Sequence, residues 1–164
     1  MKSVLVLGGA RSGKSRHAEA LVTAEPGPWR YIATGRAWDD EMRARIALHR
    51  AQRAPGWETV EAPLDLVSAL HVSRPVLVDC LTLWLTNLIL GEQDIEQATK
   101  TLLDALHLRS ASTVFVSNEV GLGIVPENAL ARRFRDEAGL LHQRLAQHVD
   151  RVLFVAAGCV LEMK

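Results

Sequence analysis

The stretch Gly8-Gly9-Ala10-Arg11-Ser12-Gly13-Lys14-Ser15 limits what this chain can fold into more than any other part of it. Its spacing is G-x-x-x-x-G-K-S, the P-loop pattern. An apolar run at 4–7 leads into it, and a helix-competent stretch at 16–22 follows. Glycines let the backbone curl so that successive N–H groups face a phosphate. The helix beginning near Lys14 adds the positive end of its dipole. Lys14 reaches the β- and γ-phosphates, and the Ser15 hydroxyl can ligate Mg²⁺. Binding of a nucleoside triphosphate follows. A P-loop also demands a strand before it and a helix after it, so the fold must be α/β.

At 164 residues the chain fits one domain, 1–164, with a real core. Hydrophobic residues make up 48% and the formal net charge is zero, which argues against a general nucleic-acid binder. Arginines do cluster, at Arg43, Arg45, Arg50 and Arg53 and again at Arg132, Arg133 and Arg135, as suits a small polyanion. Cys80 and Cys159 form no C-x-x-C pair and read as reduced, buried thiols. No apolar run is long enough for a signal peptide or a membrane span, so a cytoplasmic location is expected.

Beyond the loop, strands are expected at 29–33, 76–79, 113–117 and 151–155, with an edge strand at 57–60 and a short tail after Gly158. Helices are expected from Asp39 to about Gln52, around 64–71, over 81–90, over 95–108 and from about Glu127 to His148. In the last of these, Leu130, Phe134, Leu141 and Leu145 form an apolar stripe. Strands alternating with helices predict a mostly parallel, doubly wound sheet flanked by helices, a single-domain P-loop NTPase fold of RecA-like type.

Three further positions carry candidate chemistry. Asp79 ends an apolar strand downstream of the P-loop, where such proteins keep a second Mg²⁺-associated carboxylate; the alternative is an Asp capping the helix that follows. Glu119, in Asn118-Glu119-Val120-Gly121-Leu122-Gly123, could act as a general base, or the segment could be an ordinary turn. His49 shares a helix face with Met42, Ile46 and Arg53, where an apolar stripe turns basic. Neighbouring arginines would attract a phosphate and keep the imidazole neutral and nucleophilic, although a core histidine is the plainer reading. A regulatory GTPase should carry D-x-x-G after its second carboxylate and an N-K-x-D. The D-x-x-G at 136–139 lies in the last long helix, and N-K-x-D is absent. A polymer-driven motor would be larger. A small-molecule kinase or a nucleotidyltransferase fits best.

Together GGARSGKSRHAEAL (8–21), YIATG (31–35), DDEMRARIALHRAQR (39–53), WETVEAP (57–63), VDCLTLWLTNL (78–88) and SNEVGLGIVPENALARRFRDEAG (117–139) resemble a known family. It is the bifunctional adenosylcobinamide kinase/adenosylcobinamide-phosphate guanylyltransferase family of cobalamin biosynthesis. The resemblance implies phosphorylation of the aminopropanol hydroxyl of adenosylcobinamide by ATP or GTP. It implies next the transfer of GMP from GTP to that phosphate, through a guanylylated His49, giving adenosylcobinamide-GDP and pyrophosphate. It also implies nucleotide contacts on the P-loop, at Thr34, Gly35 and Arg36, at Arg50, Ala51, Gln52 and Arg53, and at Glu61 and Asp79, with Mg²⁺ held by Ser15 and Asp79. A homotrimer is implied as well. The corrinoid should be offered apolar surface, for which 81–90 with Trp84 is a candidate, unless that segment is core or a subunit contact. His142 departs from the pattern, standing where Asn is expected before Gln143, and the tail from 158 matches loosely.

Overall fold

The computed structural model describes residues 2–36 and 55–164. The expected helix from Asp39 to about Gln52, with His49, Arg50, Ala51, Gln52 and Arg53, lies outside the described residues.

Seven strands form one sheet in the order β3-β2-β4-β5-β1-β6-β7. They are β1 (Ser3–Gly8), β2 (Trp29–Ala33), β3 (Trp57–Glu61), β4 (Val76–Asp79), β5 (Thr113–Asn118), β6 (Arg151–Ala156) and β7 (Cys159–Glu162). The first six run parallel, and only β7 is antiparallel, to β6. β1, β4 and β5 are near-continuous apolar runs because both faces of the sheet are covered. On one face lies α1 (Lys14–Thr23), whose Ala18 and Val22 pack with Val4, Val6, Tyr31, Leu77, Val116 and Val155. The other face carries α2 (Leu66–Leu70), α3 (Leu81–Leu90), α4 (Ile95–Leu108) and α5 (Ala129–His148) over a core holding Trp84, Phe115 and Leu145.

Helix starts follow their caps. Asp65, Asp94 and Asn128 each accept a backbone N–H three residues on, opening α2, α4 and α5. At the amino-terminal edge of the sheet, Arg109 closes the connections. Its guanidinium donates to the carbonyls of Leu70, Val72 (2.8 Å) and Arg74 (2.9 Å), and its Nε to Thr113 Oγ1 (2.8 Å). Burial, with Arg30 nearby, brings its pKa down to about 10, still charged at neutral pH. No helix among the described residues is long and apolar enough to cross a membrane.

Three expectations need correcting, and one alternative left open, for 81–90, is decided. The segment after Gly158 is no tail but β7, pairing Val155 with Val160 and Leu153 with Glu162. Cys159 is exposed, because every residue of that edge strand faces solvent on one side or the other. Cys80 is buried as expected, and burial together with Asp79 pushes its thiol pKa up, so it stays protonated. Leu130 is half exposed rather than part of the α5 core stripe, which Leu141 and Leu145 continue, since it lines an open apolar hollow with Ile89, Leu90 and Phe134. Trp84 belongs to the core, 2% exposed with its indole N–H on the Leu64 carbonyl, so it offers no surface to a large ligand.

Candidate functional site

The sheet brings three loop-bearing strand ends together. β1 lies beside β5, and β5 beside β4, so the segments after Gly8, Asn118 and Asp79 all open at the carboxyl edge of the sheet. Glu119 N–H donates to the Gly8 carbonyl at 3.1 Å, which ties the 119–123 segment to the root of the P-loop. Gly8 itself admits no side chain: a Cβ there would sit 2.5 Å from the Val155 carbonyl oxygen and 2.6 Å from Ser12 Oγ.

From Gly8 the backbone passes Gly9, Ala10, Arg11 and Ser12 and enters α1 through Gly13, whose φ of 96° is left-handed. Arg11, Ser12, Gly13, Lys14, Ser15 and Arg16 line a hollow of about 300 Å³. Lys14 Nζ donates to the Gly9 carbonyl at 3.1 Å, so the loop is closed around its own lysine. No side chain caps the N-terminus of α1, which leaves its first N–H groups for an anion.

Asp79 stands two strand places from β1, about 10 Å across the sheet, on the face that α1 covers. It does not cap α3, whose N-cap is Cys80 with no side-chain hydrogen bond. Instead Tyr31 donates its hydroxyl to Asp79 Oδ2 at 2.7 Å and fixes the carboxylate. Nothing in the sequence singles out Tyr31, because the contact depends on the register pairing Tyr31 with Leu77 and Ala33 with Asp79. Ser15 and Asp79 offer hard oxygen donors. Among the described residues no group of three acidic, His or Cys side chains could enclose a metal. The donor set therefore fits Mg²⁺, which completes its shell with phosphate and water, and not an all-protein cage.

Thr34 is fully buried. Its hydroxyl donates to the Cys80 carbonyl (2.6 Å) and accepts from Cys80 N–H (2.8 Å), and its carbonyl takes Asn87 Nδ2 (2.8 Å). The side chain thus locks β2 to β4, and only Gly35 and Arg36 lead outward from it. Glu61 is exposed at the end of β3, four strand places from β1, about 19 Å away. A nucleotide seated in the P-loop would have to extend over β5, β4 and β2 to reach it.

Glu119 is partly buried, with Oε1 accepting the Gly121 N–H. A Cβ at Gly121 would lie 2.8 Å from that oxygen, so the glycine permits the closed turn. Arg135 on α5 donates to the Gly121 carbonyl at 2.5 Å and holds the turn from outside. Behind it Ser117 Oγ and His142 Nε2 lie 2.7 Å apart, both buried. Burial lowers the His142 pKa, with the Glu119 charge opposing. The site therefore joins a phosphate cradle, a fixed carboxylate for a cation, and a second carboxylate on a braced turn. It suits transfer at phosphorus.

A profile of the family described as cobinamide kinase / cobinamide phosphate guanyltransferase matches residues 4–163. The chain is 48% identical to the bifunctional adenosylcobalamin biosynthesis protein CobP of Pseudomonas aeruginosa, covering 98% of this chain and 96% of the relative. It is 45% identical to the bifunctional adenosylcobalamin biosynthesis protein CobU of Salmonella typhimurium, covering 98% and 99%. Among solved structures, the flagellar accessory protein FlaH of Methanocaldococcus jannaschii superposes with a TM-score of 0.54 at 9% identity, over 99% of this chain and 78% of that one. That likeness bears on the fold alone.

Proposed function

The chain belongs to the cobinamide kinase / cobinamide phosphate guanyltransferase family, and from that membership we propose that one nucleotide cradle serves both reactions, with His49 carrying GMP between them. It is a bifunctional enzyme of cobalamin biosynthesis, a kinase and a guanylyltransferase. The observation that carries the proposal is the convergence of the P-loop, the Tyr31-held Asp79 and the Glu119 turn at one edge of the sheet.

In the kinase step the aminopropanol hydroxyl of adenosylcobinamide attacks the γ-phosphorus of ATP or GTP. A new O–P bond forms, the β–γ bridging bond breaks, and the nucleoside diphosphate leaves. Glu119 is the candidate acceptor for the hydroxyl proton, with its unbonded carboxylate oxygen as the base. P-loop N–H groups and Lys14 hold the phosphates and offset their charge. In the second reaction a neutral His49 nitrogen attacks the α-phosphorus of GTP and pyrophosphate leaves. A phosphate oxygen of adenosylcobinamide-phosphate then displaces His49, giving adenosylcobinamide-GDP. Two displacements at phosphorus replace one direct encounter between two anionic phosphates. Ser15 and Asp79 would hold Mg²⁺, which neutralises phosphate charge when bound. Gly35, Arg36, Arg50, Ala51, Gln52, Arg53 and Glu61 complete the proposed nucleotide contacts, with Thr34 acting from beneath by holding the segment that leads to Gly35. A cytoplasmic homotrimer belongs to the same reading.

The test is covalent labelling. [α-³²P]GTP should leave an acid-labile, base-stable label on the wild-type chain, and His49→Asn should abolish it while adenosylcobinamide phosphorylation continues. Label persisting in His49→Asn would remove the guanylyl-histidine assignment. Phosphoryl transfer from [γ-³²P]ATP with no GMP adduct in the wild type would leave a kinase only.

A further inference from the structure

The turn between β6 and β7 lies against the P-loop, and its contacts have a direction. Gly158 N–H donates to the Ser12 carbonyl at 2.8 Å. His17, one turn into α1, places Nε2 2.9 Å from the Gly158 carbonyl. A carbonyl only accepts, so Nε2 carries the proton and His17 is the donor, whether the ring is neutral or charged. The fit is close: a Cβ at Gly13 would stand 3.4 Å from Gly158 Cα.

The turn is also strained. Ala156 pairs with Cys159, leaving two residues to reverse the chain, and both Ala157 (φ 50°) and Gly158 (φ 76°) are left-handed. That is the hairpin geometry in which Asn-Gly is favoured. Alanine is disfavoured at such a φ, and backbone strain of this kind clusters where surroundings impose it for a purpose.

Peptide planarity supplies the purpose. Across a trans peptide the C=O and the N–H point in opposite directions. With the Ser12 carbonyl drawn toward the hairpin, the Gly13 N–H is turned to the other side of the loop, where a phosphate would lie. The Ser12 side chain gives no help, since its buried Oγ has no hydrogen-bond partner among the described residues. Gly13, free of a Cβ and already left-handed, has little of its own to resist a flip of that peptide.

We propose that the β6–β7 turn is a working part of the nucleotide site. Through Gly158 and His17 it grips the Ser12–Gly13 peptide and holds the Gly13 N–H ready for phosphate before nucleotide arrives. His17 is a positioning residue, acting on the cradle through the turn, and the gain is preorganisation. The inference rests on the reading that nucleotide phosphates occupy the 8–15 cradle.

The test compares the full-length wild type, His17→Ala and His17→Gln for affinity toward a fluorescent GDP with Mg²⁺, alongside thermal midpoints. Glutamine puts an amide N–H donor at a similar reach. His17→Ala should weaken binding about tenfold, and His17→Gln should return it to within about twofold of wild type. A fold defect would lower the midpoint and would not discriminate between the two by donor. Wild-type binding that His17→Ala leaves unchanged overturns the proposal, as does a His17→Gln variant no better than His17→Ala. Failure of the wild type to bind at all would instead remove the cradle reading, and this proposal with it.

Discussion

Among the described residues, Tyr31 is the side chain that holds the orientation of Asp79. Its hydroxyl reaches Oδ2 at 2.7 Å, and its ring stands edge-on to Trp57 with centroids 6.1 Å apart, so the donor is itself held. Tyr31→Phe keeps the ring contact and removes the donor. The Mg²⁺ concentration needed for half-maximal kinase activity should then rise by about tenfold, read by titrating the metal at saturating nucleotide. His142 makes a second prediction at this scale. Its native pKa lies below the ordinary imidazole value of 6.5 because burial disfavours the charged ring. The unfolded chain therefore binds the proton first as pH falls. The contribution to stability is whole above 6.5 and declines below it, down to the native pKa. Carboxylates also weaken the fold in acid, so the informative quantity is the difference between wild type and His142→Asn. That gap should shift against the wild type as pH goes from about 7 to about 5, measured by urea unfolding. At this scale the sequence singles out candidates that a motif names, such as Lys14, Ser15 and Asp79. It hid Tyr31 and His17, since a tyrosine in a strand and a histidine in a helix acquire their roles from register and from a distant turn.

Among the elements, connections carry more than their length suggests. Arg109 follows α4 directly and donates to four carbonyls, those of Leu70, Val72, Arg74 and Ser112, and to the hydroxyl of Thr113. Arg109→Met would fill similar space and leave those acceptors unpaired. We expect a loss of roughly 2–4 kcal/mol, read as a lower urea midpoint with unchanged slope. The β6–β7 turn offers the opposite experiment. Ala157→Asn suits the left-handed position better, and stability should rise by roughly 0.5–1 kcal/mol in the same measurement. Buried parallel strands were legible because their apolar runs are bounded by Pro75, Gly8 or Asp79. β7 was not, because Cys159–Glu162 carries no alternation that a sheet core would require and Ala-Gly is no hairpin signal. The same strand explains why the cradle's support was invisible: its partner in sequence is some 145 residues away from the P-loop.

For the whole molecule, the expected division into one domain has a direct check. All the strands join one sheet and both faces share its central strands, so urea should unfold the chain in one step. Far-ultraviolet circular dichroism and the fluorescence of the four tryptophans should report coincident transitions. Two separated transitions would mean two folding units. The overall class followed from a single motif and the alternation around it, whereas strand order, which decides that Glu61 stands far from the cradle, did not. Order is set by crossovers, and those leave no mark on local periodicity.

β1 has only β5 and β6 for neighbours. The strand that launches the P-loop thus precedes both of its sheet neighbours in the chain and cannot take its place until they follow. More than a hundred residues separate it from β5, and at cellular elongation rates of about 5–20 residues per second it waits several seconds. For that interval Val4, Leu5, Val6 and Leu7 are an unpaired apolar segment on a nascent chain, open to a chaperone or to another such chain. Nucleotide cannot rescue them early, because the cradle it would bind is not yet backed by Asn118 or gripped by Gly158. Ligand-assisted folding can act fully only after β6 and its turn have emerged, so the stabilisation that nucleotide brings depends on strands far from its cradle in sequence.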